Sequence, residues 1–458
     1  MSRAVSLPPA TAARLDALRR GDLAGIRELR LPGGPEGRLT EMPPEILGLA
    51  DTLELLDLGH NDLTALPADL GRLRRLRVLF GSGNRFARLP PVLGDCPALS
   101  QVGFRGCGLA EVPADSLPPA LRWLTLTDNR IATLPPALGE RPLLQKLMLA
   151  GNRLRELPES LGGAQALELL RIAANRFEAL PGCLTALPRL AWLSWAGNPF
   201  EDRAAPPPVA VTAAAWRDLA LGPLLGEGAS GRVMRAAWRQ DGAGDEGTGE
   251  ARPVALKLFK GAMTSDGLPE REMAACLVAG AHPHLIGGLG RLADHPDGTQ
   301  GLLMPLLPEG WRVLAGPPSL ESCSRDVYDP ALRLTARAAL RLAHGVASGA
   351  AHLHARGFGH GDLYAHNILW DGTQGDAVLS DLGAASALLP GAEGHVLQRL
   401  DVRAFGLLLE ELHTIAPLAH PALDALARAC TGPDPAARPG MAEVRESLDA
   451  IMKESGPA

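Results

Sequence analysis

The sequence has few aromatic residues and very little lysine. Aromatic side chains make up 4% of its 458 residues, and only four of its 45 basic residues are lysine. The net charge is −6 and the pI is about 6.1, so the basic surface that nucleic acids or anionic lipids require is missing. We therefore expect no nucleic-acid partner, and a lysine retained inside an apolar strand is informative.

Long apolar runs and cysteine pairs are also absent from the sequence. No stretch of about 18 uninterrupted apolar residues occurs, which excludes a membrane-spanning helix. The first residues contain no apolar run long enough for a signal peptide. The six cysteines form no Cys-x-x-Cys pair. We therefore expect buried, reduced thiols in a cytoplasmic protein.

A repeated leucine pattern occupies the first 200 residues. The motif Leu-x-x-Leu-x-Leu-x-x-Asn recurs with successive gaps of 22 or 23 residues. Its last position falls at Asn61, Asn84, Cys107, Asn129, Asn152, Asn175 and Asn198. The motif and its period resemble leucine-rich repeats, which implies a horseshoe-like solenoid of the α/β class. We expect residues 1–200 to form this domain, with a helical N-terminal cap at residues 8–25.

Each position of the repeat has a predicted role. The leucines point inward, the asparagine side chain hydrogen-bonds to backbone groups of the turn, and Trp195 is predicted to lie in the core. The outward positions on the concave face are Phe80, Arg105, Trp123, Thr125, Lys146, Met148, Arg171 and Trp192. Two exposed tryptophans on this face favour a protein substrate or regulator as partner. The alternative is that these rings pack on one another.

Proline marks the junction between the two halves of the chain. Residues 201–216 contain Ala204-Ala-Pro-Pro-Pro-Val209 and are predicted to form a stiff, extended linker. Residues 217–458 are predicted to form the second domain. Within it, the glycine-rich stretch at residues 241–249 predicts a loop between two strands. None of these patterns indicates an oligomeric state.

An ordered series of short motifs follows in the second half. They are Gly226-Glu-Gly-Ala-Ser-Gly-Arg-Val233, Val254-Ala-Leu-Lys257, His360-Gly-Asp-Leu-Tyr-Ala-His-Asn367, Asp381-Leu-Gly383, Asp401-Val-Arg-Ala-Phe-Gly406 and Asp434-Pro-Ala-Ala-Arg-Pro439. In this order they resemble a bacterial-like, eukaryotic-type protein kinase domain. The resemblance implies a bilobal α+β fold and phosphoryl transfer from ATP, with Mg²⁺ as the metal. Together, the two halves resemble a leucine-rich repeat protein kinase.

The resemblance assigns nucleotide binding to the glycine loop and the strands beside it. Glycines let the backbone approach phosphates where a Cβ would clash. Lys257 would neutralise the α- and β-phosphates, held by Glu272 on the next helix or, as the alternative, by Glu270. The predicted ATP-binding residues are Gly226, Glu227, Gly228, Ala229, Ser230, Gly231, Val233, Ala255, Lys257, Met304 and Leu306.

The resemblance assigns catalysis and metal binding to the later motifs. Asp362 would orient the acceptor hydroxyl and take its proton, with Lys257 and Glu272 as the other catalytic residues. Asn367 and Asp381 would bind Mg²⁺ through oxygen atoms, which a hard cation prefers. Asp401 and Arg438 would support the catalytic loop and the C-terminal helices without taking part in the chemistry.

Two substitutions and a short segment depart from the family pattern. Gly361 stands where many protein kinases have an arginine. This difference favours an alternative class, the small-molecule phosphotransferases of the aminoglycoside-kinase type. Tyr364 replaces a lysine that contacts the γ-phosphate, so a slow enzyme or a nucleotide-binding pseudokinase scaffold stays open. Ser386 is the only hydroxyl-bearing residue between residues 381 and 401. We expect a Ser/Thr-directed kinase whose activity does not depend on phosphorylation of this segment.

Overall fold

The chain divides into two compact units. The computed structural model describes residues 7–204, 211–228, 230–239, 251–261, 263–264 and 267–454. The centre of the predicted linker, the predicted loop at residues 241–249 and Ala229 lie outside the described residues. The two units are Met1–Arg189 and Leu190–Ala458. The predicted domain limits at residues 200 and 217 stay predictions.

The first unit is built from short parallel strands that follow one another in sequence order. A helix, α1 (Pro9–Arg19), precedes them. The strands are β1 (Glu28–Arg30), β2 (Leu55–Asp57), β3 (Val78–Phe80), β4 (Gln101–Gly103), β5 (Trp123–Thr125), β6 (Lys146–Met148) and β7 (Leu169–Arg171). Short 3-10 helices alternate with them at Pro44–Leu49, Leu70–Arg72, Pro91–Asp95, Ala114–Ser116, Pro136–Glu140, Glu159–Gly163 and Gly182–Ala186. This unit is therefore repeat-like, as the leucine pattern predicted.

The register of the strands places the motif leucines in line. The central residues of successive strands pair directly, and each is almost fully buried; they are Leu29, Leu56, Leu79, Val102, Leu124, Leu147 and Leu170. One repeat has too little apolar surface to form a core alone, so stacking supplies the burial.

The motif asparagines hold the turns of neighbouring repeats together. Asn129 Nδ2 donates to Phe104 O at 2.8 Å and to Leu126 O at 2.9 Å, while Oδ1 accepts from the amides of Cys107 and Leu109, both at 3.0 Å. A similar pattern, with Nδ2 donating to at least two carbonyls and Oδ1 accepting from one amide, recurs at Asn61, Asn84, Asn152 and Asn175. At the remaining position of the first unit, Cys107 Sγ lies 3.2 Å from Gly81 O.

The predicted concave-face residues are less exposed than the sequence suggested. Trp123 is half-buried, with Lys146 Nζ 4.1 Å from its ring centroid and its Nε1 donating to Thr125 Oγ1 at 2.8 Å. These side chains do pack on one another. The expectation that Trp192 is exposed was wrong, because its ring is buried against a loop of the second unit, and Arg171 is buried as well.

The second unit begins with β8 (Trp192–Ser194) and a short 3-10 helix, Glu201–Arg203, and continues into a sheet-rich lobe. The strands of that lobe are β9 (Ala213–Ala215), β10 (Leu219–Glu227), β11 (Gly231–Trp238), β12 (Arg252–Phe259), β13 (Gly290–Ala293) and β14 (Gly301–Pro305), in the order β10-β11-β12-β14-β13-β9. All neighbours are antiparallel except β13 and β9. The helix α2 (Pro269–Ala279) follows β12. Val254 and Leu256 belong to the apolar core on one face of the sheet, so their neighbours Ala255 and Lys257 point to the other face.

Helices dominate the remainder of the second unit. They are α3 (Ala336–Ala355), α4 (Gly391–Ile415), α5 (Pro421–Thr431) and α6 (Met441–Glu454). Two small sheets carry the functional loops: β15 (Arg312–Val313), β17 (Ile368–Trp370) and β18 (Ala377–Leu379) form one, and β16 (Phe358–Gly359) and β19 (Ser386–Ala387) the other. Thr335 begins α3 by accepting a hydrogen bond from Ala338 N at 3.1 Å. No helix in the described ranges is long and apolar enough to cross a bilayer.

We predict that Asn129→Ala opens the first unit locally. Buried amides of Cys107 and Leu109 lose their acceptor, and two carbonyls lose their donor. The free energy of local opening should fall by about 2–4 kcal/mol, since a buried polar group left unsatisfied costs about 1–3 kcal/mol. Hydrogen exchange measured by mass spectrometry should show faster exchange at both amides. Arg130→Ala, at the exposed neighbouring position, is the control, and equal exchange in the two variants would contradict the prediction.

Candidate active site

The hairpin of β10 and β11 carries the predicted glycine loop. Gly226 pairs with Val233 and Glu227 with Arg232, and Gly228 N donates to Gly231 O at 2.9 Å. A Cβ on Gly226 or Gly228 would meet no atom within 4 Å. The loop backbone is therefore bare on this side, and a ligand can approach it closely. Ser230 is half-buried within the loop.

Gly231 is required by packing rather than by a ligand. A Cβ there would lie 2.5 Å from Leu258 O on β12, which is closer than any real contact.

Lys260, which was not among the predicted site residues, stabilises the same loop. Its ammonium pairs with the carboxylate of Glu227 and donates to Gly228 O at 3.2 Å. The scarcity of lysine in this chain was the signal that could have identified it.

The strands β11, β12 and β14 place the other predicted nucleotide contacts on one face of the sheet. Val233 pairs with Lys257 across β11 and β12, and Ala255 pairs with Met304 across β12 and β14. Residues directly opposite one another in antiparallel strands project to the same side. Leu306 follows the end of β14 and is half-buried. The structure thus brings Val233, Ala255, Lys257 and Met304 to the face that does not pack into the apolar core.

Lys257 is buried in an ion pair with Glu272. Both side chains are more than nine-tenths buried, and the lysine ammonium hydrogen-bonds to Glu272 Oε1. Asp381 Oδ1 lies 4.0 Å from the same ammonium. Burial alone would lower the pKa of Lys257, but the negative charges of Asp381 and Glu272 outweigh burial and raise it. The lysine therefore stays protonated, as a phosphate-binding group must.

The other candidate carboxylate, Glu270, faces a different way. It is exposed, and its Oε1 accepts a hydrogen bond from Gln300 at 3.1 Å. Two residues along a helix differ by about 200° in direction, so Glu270 and Glu272 cannot both face Lys257. The structure pairs Lys257 with Glu272.

The loop before β17 holds Asp362 and Asn367 together. Asn367 Nδ2 donates to Asp362 Oδ2 at 2.8 Å and to Asp362 O at 2.9 Å. Asp362 is half-buried, while Asn367 is buried. The amide thus fixes the orientation of the carboxylate. Ser380 N and Oγ both donate to Asn367 O at 2.8 Å, which links this loop to the segment that carries Asp381.

The backbone beneath Asp362 is held by the buried carboxylate of Asp401. His360 N donates to Asp401 Oδ2 at 2.7 Å, Gly361 N to Oδ1 at 2.9 Å, and His354 Nε2 lies 2.8 Å from Oδ2. Burial alone would raise the pKa of Asp401, but the hydrogen bond from His354 and the backbone donors outweigh it and lower the pKa. Asp401 therefore supports the loop as an ionised acceptor.

Asp381 and Asn367 provide oxygen ligands suited to Mg²⁺. Asp381 stands in the left-handed region with φ +57°, and its side chain is 47% exposed. Such strain in a non-glycine residue is concentrated at functional sites. The described part of the chain has no cluster of three His, Cys, Asp or Glu side chains that could hold a metal by itself. One carboxylate and one amide oxygen fit a cation that takes its other ligands from phosphates and water.

A second polar network, missed at the sequence level, lies beside the catalytic loop. His366 Nδ1 is 2.7 Å from Asp326 Oδ1, and His366 N donates to Asp326 Oδ2 at 2.8 Å. Tyr328 on the same segment donates to Glu411 Oε2 at 2.9 Å. Burial raises the pKa of Glu411 to about 7, the Tyr328 hydroxyl opposes this, and the charge of Asp326 adds to it. Burial alone would lower the pKa of His366, but Asp326 and nearby Asp362 raise it.

A cavity of 600 Å³ lies beside α2 and is lined by Met273, Leu277, Leu292 and Phe358 among others. Among the described residues that line it, none belongs to the predicted nucleotide site. The position of Lys257 and Asp381, rather than cavity volume, therefore identifies the candidate active site.

The lobes and the site define an enzyme class. A glycine hairpin beside a paired strand lysine, above a loop bearing Asp362 and Asn367, is typical of enzymes that transfer phosphoryl groups from ATP. Residues 219–395 match the family model described as protein tyrosine and serine/threonine kinase. This stretch is thus a protein kinase domain, and the match covers less than half of the chain and none of the repeats. No curated protein matches the chain.

We predict that Glu272→Gln weakens the use of ATP. The neutral amide no longer holds the Lys257 ammonium by charge, so the lysine loses its fixed position against the phosphates. The kcat/KM for ATP, measured by ADP release, should fall about 10- to 100-fold, the size of effect that misplacement by about 1 Å produces. Glu270→Gln is the matched control on the exposed face of the same helix. Equal losses in the two variants would refute the assigned pair.

We predict that Glu411→Gln removes part of the pH dependence of stability. An unfolded glutamate has a pKa near 4.3, whereas that of folded Glu411 is raised to about 7. The folded state therefore binds more protons than the unfolded state between these two pKa values. Through this group, the free energy of unfolding of the wild type falls by about 2–3 kcal/mol as the pH rises from 5 to 8. Chemical denaturation at several pH values should show a flatter profile for Glu411→Gln than for Glu410→Gln, an exposed control. Identical profiles would contradict the assignment.

Proposed function

We propose that the protein is an ATP- and Mg²⁺-dependent protein kinase directed at serine or threonine. The observation that carries the proposal is the convergence of Lys257, Glu272 and Asp381, with the Lys257 ammonium 4.0 Å from Asp381 Oδ1. The family match over residues 219–395 supports a protein acceptor. That family includes tyrosine kinases as well, so the match does not distinguish the acceptor residue, and specificity for serine or threonine is proposed in addition to it.

Each residue has a defined task in this reaction. Lys257 holds phosphate oxygens, and the bare backbone at Gly226 and Gly228 covers them. Asn367 and Asp381 would hold the metal ion, which would neutralise charge on the transferred group. Asp362 accepts the proton of the acceptor hydroxyl as the hydroxyl oxygen bonds to the γ-phosphorus of ATP. The bond from that phosphorus to the bridging oxygen breaks, and ADP leaves.

The small-molecule alternative rests on Gly361, and the structure supplies another reason for this glycine. Its φ is +69°, and a Cβ would lie 2.4 Å from Leu193 O and 2.9 Å from Ala384 O. No side chain fits there, so the missing arginine carries no information about the acceptor. The observation that favoured the aminoglycoside-type phosphotransferase therefore no longer supports it.

The first unit is proposed to be a leucine-rich repeat arm that recruits a protein substrate or regulator. Its period, its leucine ladder and its buried asparagines support this assignment. Half-buried Trp123, Lys146 and Met148 offer an amphipathic face on β5 and β6. All six cysteines are free and buried, which supports a reducing, cytoplasmic setting.

We predict that Asp362→Asn abolishes most phosphoryl transfer while preserving the fold. Loss of a general base lowers the rate by about 10²–10⁴-fold. The full chain would be incubated with labelled ATP, Mg²⁺ and myelin basic protein, and phosphoamino acids would be identified. Asp297→Asn, an exposed aspartate, is the control and should behave like wild type.

The same assay separates the alternatives. Label on serine or threonine that requires Asp362 supports the proposal, whereas label on tyrosine corrects its specificity. Label transferred to kanamycin but not to protein would identify a small-molecule phosphotransferase. A Mg-ATP-dependent rise in Tm without any transfer would identify a pseudokinase scaffold.

A further inference from the structure

A short segment before the kinase match contacts three parts of the candidate active site. It comprises residues 192–202, hereafter the clasp, and consists of β8, the turn that follows it and the start of the short helix Glu201–Arg203. The clasp belongs to the same compact unit as the kinase domain. In the sequence it carries the last copy of the leucine motif. Trp192 was expected there on the partner-binding face, and the repeats were expected to end there.

The first contact is with the catalytic loop. The Trp192 ring stacks on Tyr364 with centroids 4.1 Å apart and planes 8° from parallel. Trp192 Nε1 donates to Leu363 O at 3.0 Å, and the ring is 2% exposed. Leu363 and Tyr364 immediately follow Asp362. A buried indole therefore fixes both the backbone and a side chain next to the proton acceptor.

The clasp also meets the residue that precedes Asp362. Leu193 O occupies the space where a Cβ of Gly361 would stand, at 2.4 Å. Gly361 N is at the same time bound to Asp401 Oδ1 at 2.9 Å. The backbone at Gly361 is thus confined both by the carboxylate of Asp401 and by the clasp.

The second contact is with the segment that follows Asp381. Ser386 Oγ accepts hydrogen bonds from Trp195 N and Ala196 N, both at 3.0 Å, and Trp195 Nε1 donates to Ala387 O at 3.0 Å. Ser386 is fully buried and is the only hydroxyl-bearing residue between residues 381 and 401. This segment is held by existing contacts, and its one hydroxyl is not accessible to a kinase.

The third contact reaches the helix that carries Glu272. Glu201 Oε1 accepts a hydrogen bond from Ala387 N at 2.8 Å, so the clasp bonds to both the amide and the carbonyl of Ala387. Arg271 Nη2 donates to Asp202 Oδ1 at 2.8 Å, and its Nη1 lies 3.7 Å from Glu201 Oε2. Arg271 immediately precedes Glu272. The rotation of α2 that turns Glu272 toward Lys257 is therefore tied to the clasp.

We propose that the clasp is a positioning element that holds the catalytic loop, the segment at residues 386–387 and α2 in the arrangement needed for phosphoryl transfer. This inference rests on the proposed kinase activity. Catalysis requires the three parts to be aligned simultaneously, and a misplacement of about 1 Å can cost about 10²-fold in rate. The clasp supplies this alignment through buried contacts to the catalytic loop and to residues 386–387 and through a partly exposed ion pair to α2, without a phosphate on Ser386. Trp192, Trp195 and Glu201 are positioning residues that do not touch the reacting atoms.

The first test removes and partly restores the stacked ring. Trp192→Ala should lower kcat by about 10- to 100-fold while the KM for ATP changes less than about threefold, because the loop near Asp362 moves and the glycine hairpin does not. Trp192→Phe keeps a ring that can stack on Tyr364 and should recover most of kcat. A purely structural role would instead lower the amount of folded protein without changing kcat per folded molecule.

The second test uses a variant that is expected to fold. Arg271→Ala breaks the link between the clasp and α2, and a partly exposed ion pair contributes little to stability, so Tm should change by no more than about 2 °C. Its kcat should fall about 3- to 10-fold, by weaker alignment of Glu272. Arg341→Ala is the matched control, because Arg341 has the same 33% side-chain exposure and pairs with Asp376 in the same unit. It should retain wild-type kcat.

The outcomes distinguish the inference from the proposed function. If wild type transfers phosphate and Arg271→Ala and folded Trp192→Ala both keep its kcat, the clasp proposal is overturned while the kinase stands. If wild type shows no transfer, the proposed function fails. In that case hydrogen exchange still decides whether the clasp aligns these parts. Faster exchange at residues 361–364 in Trp192→Ala and at residues 386–387 in both variants supports the alignment, and unchanged exchange overturns it.

Discussion

The buried ion pair between Lys257 and Glu272 is the interaction on which the rest of the active site depends. Neither charge is solvated, so each is tolerated only because the other is present, and removing one partner of such a pair typically costs about 3–5 kcal/mol. The pair forms only if β12 and α2 are correctly rotated against each other. Once formed, it holds an amine with a raised pKa 4.0 Å from Asp381, the residue assigned to the metal. The proposed nucleotide binding and the fold of the lobe are thereby linked.

A second constraint acts on the loop that carries Asp362. Asp401 on α4 binds its backbone, and the clasp also packs on it. The substitutions that looked like departures from the kinase pattern lie at these contacts: Gly361 leaves room for Leu193, and Tyr364 offers a ring to Trp192. Both residues are explained by what packs against them, and the acceptor chemistry need not be invoked.

The repeat-like unit follows a simpler physical rule. Its strands are only three residues long, and each buries one central residue against the next repeat. The turns place polar backbone groups in the interior, where Asn129 and its equivalents satisfy them. Stability in such an array is close to a sum over neighbours. This explains why a cysteine at position 107 is tolerated among asparagines: one weaker turn is supported by the repeats on either side.

Sequence patterns were sufficient where the relevant residues lie close together in the chain. The period of 22 or 23 residues predicted the repeat-like unit, the motif ending in Lys257 placed this lysine on a strand beside the glycine loop, and the motif from His360 to Asn367 placed Asp362 and Asn367 in one short segment. The family match confirms the predicted protein kinase domain for residues 219–395. In each of these cases the covalent geometry of a strand, a turn or a loop limits where the side chains can go.

Only the tertiary structure decided the long-range contacts. The sequence offered two glutamates for Lys257, and the packing of α2 selected Glu272. It placed Trp192 on an open face, whereas a loop about 170 residues away covers that ring. Periodicity specifies the direction of a side chain within its own element but carries no information about what a distant segment lays over it. That choice is made by burial and hydrogen bonding summed over the folded unit. The candidate active-site residues, and Asp401 which supports their loop, could therefore be named from the sequence, whereas the clasp residues that pack against that loop could not.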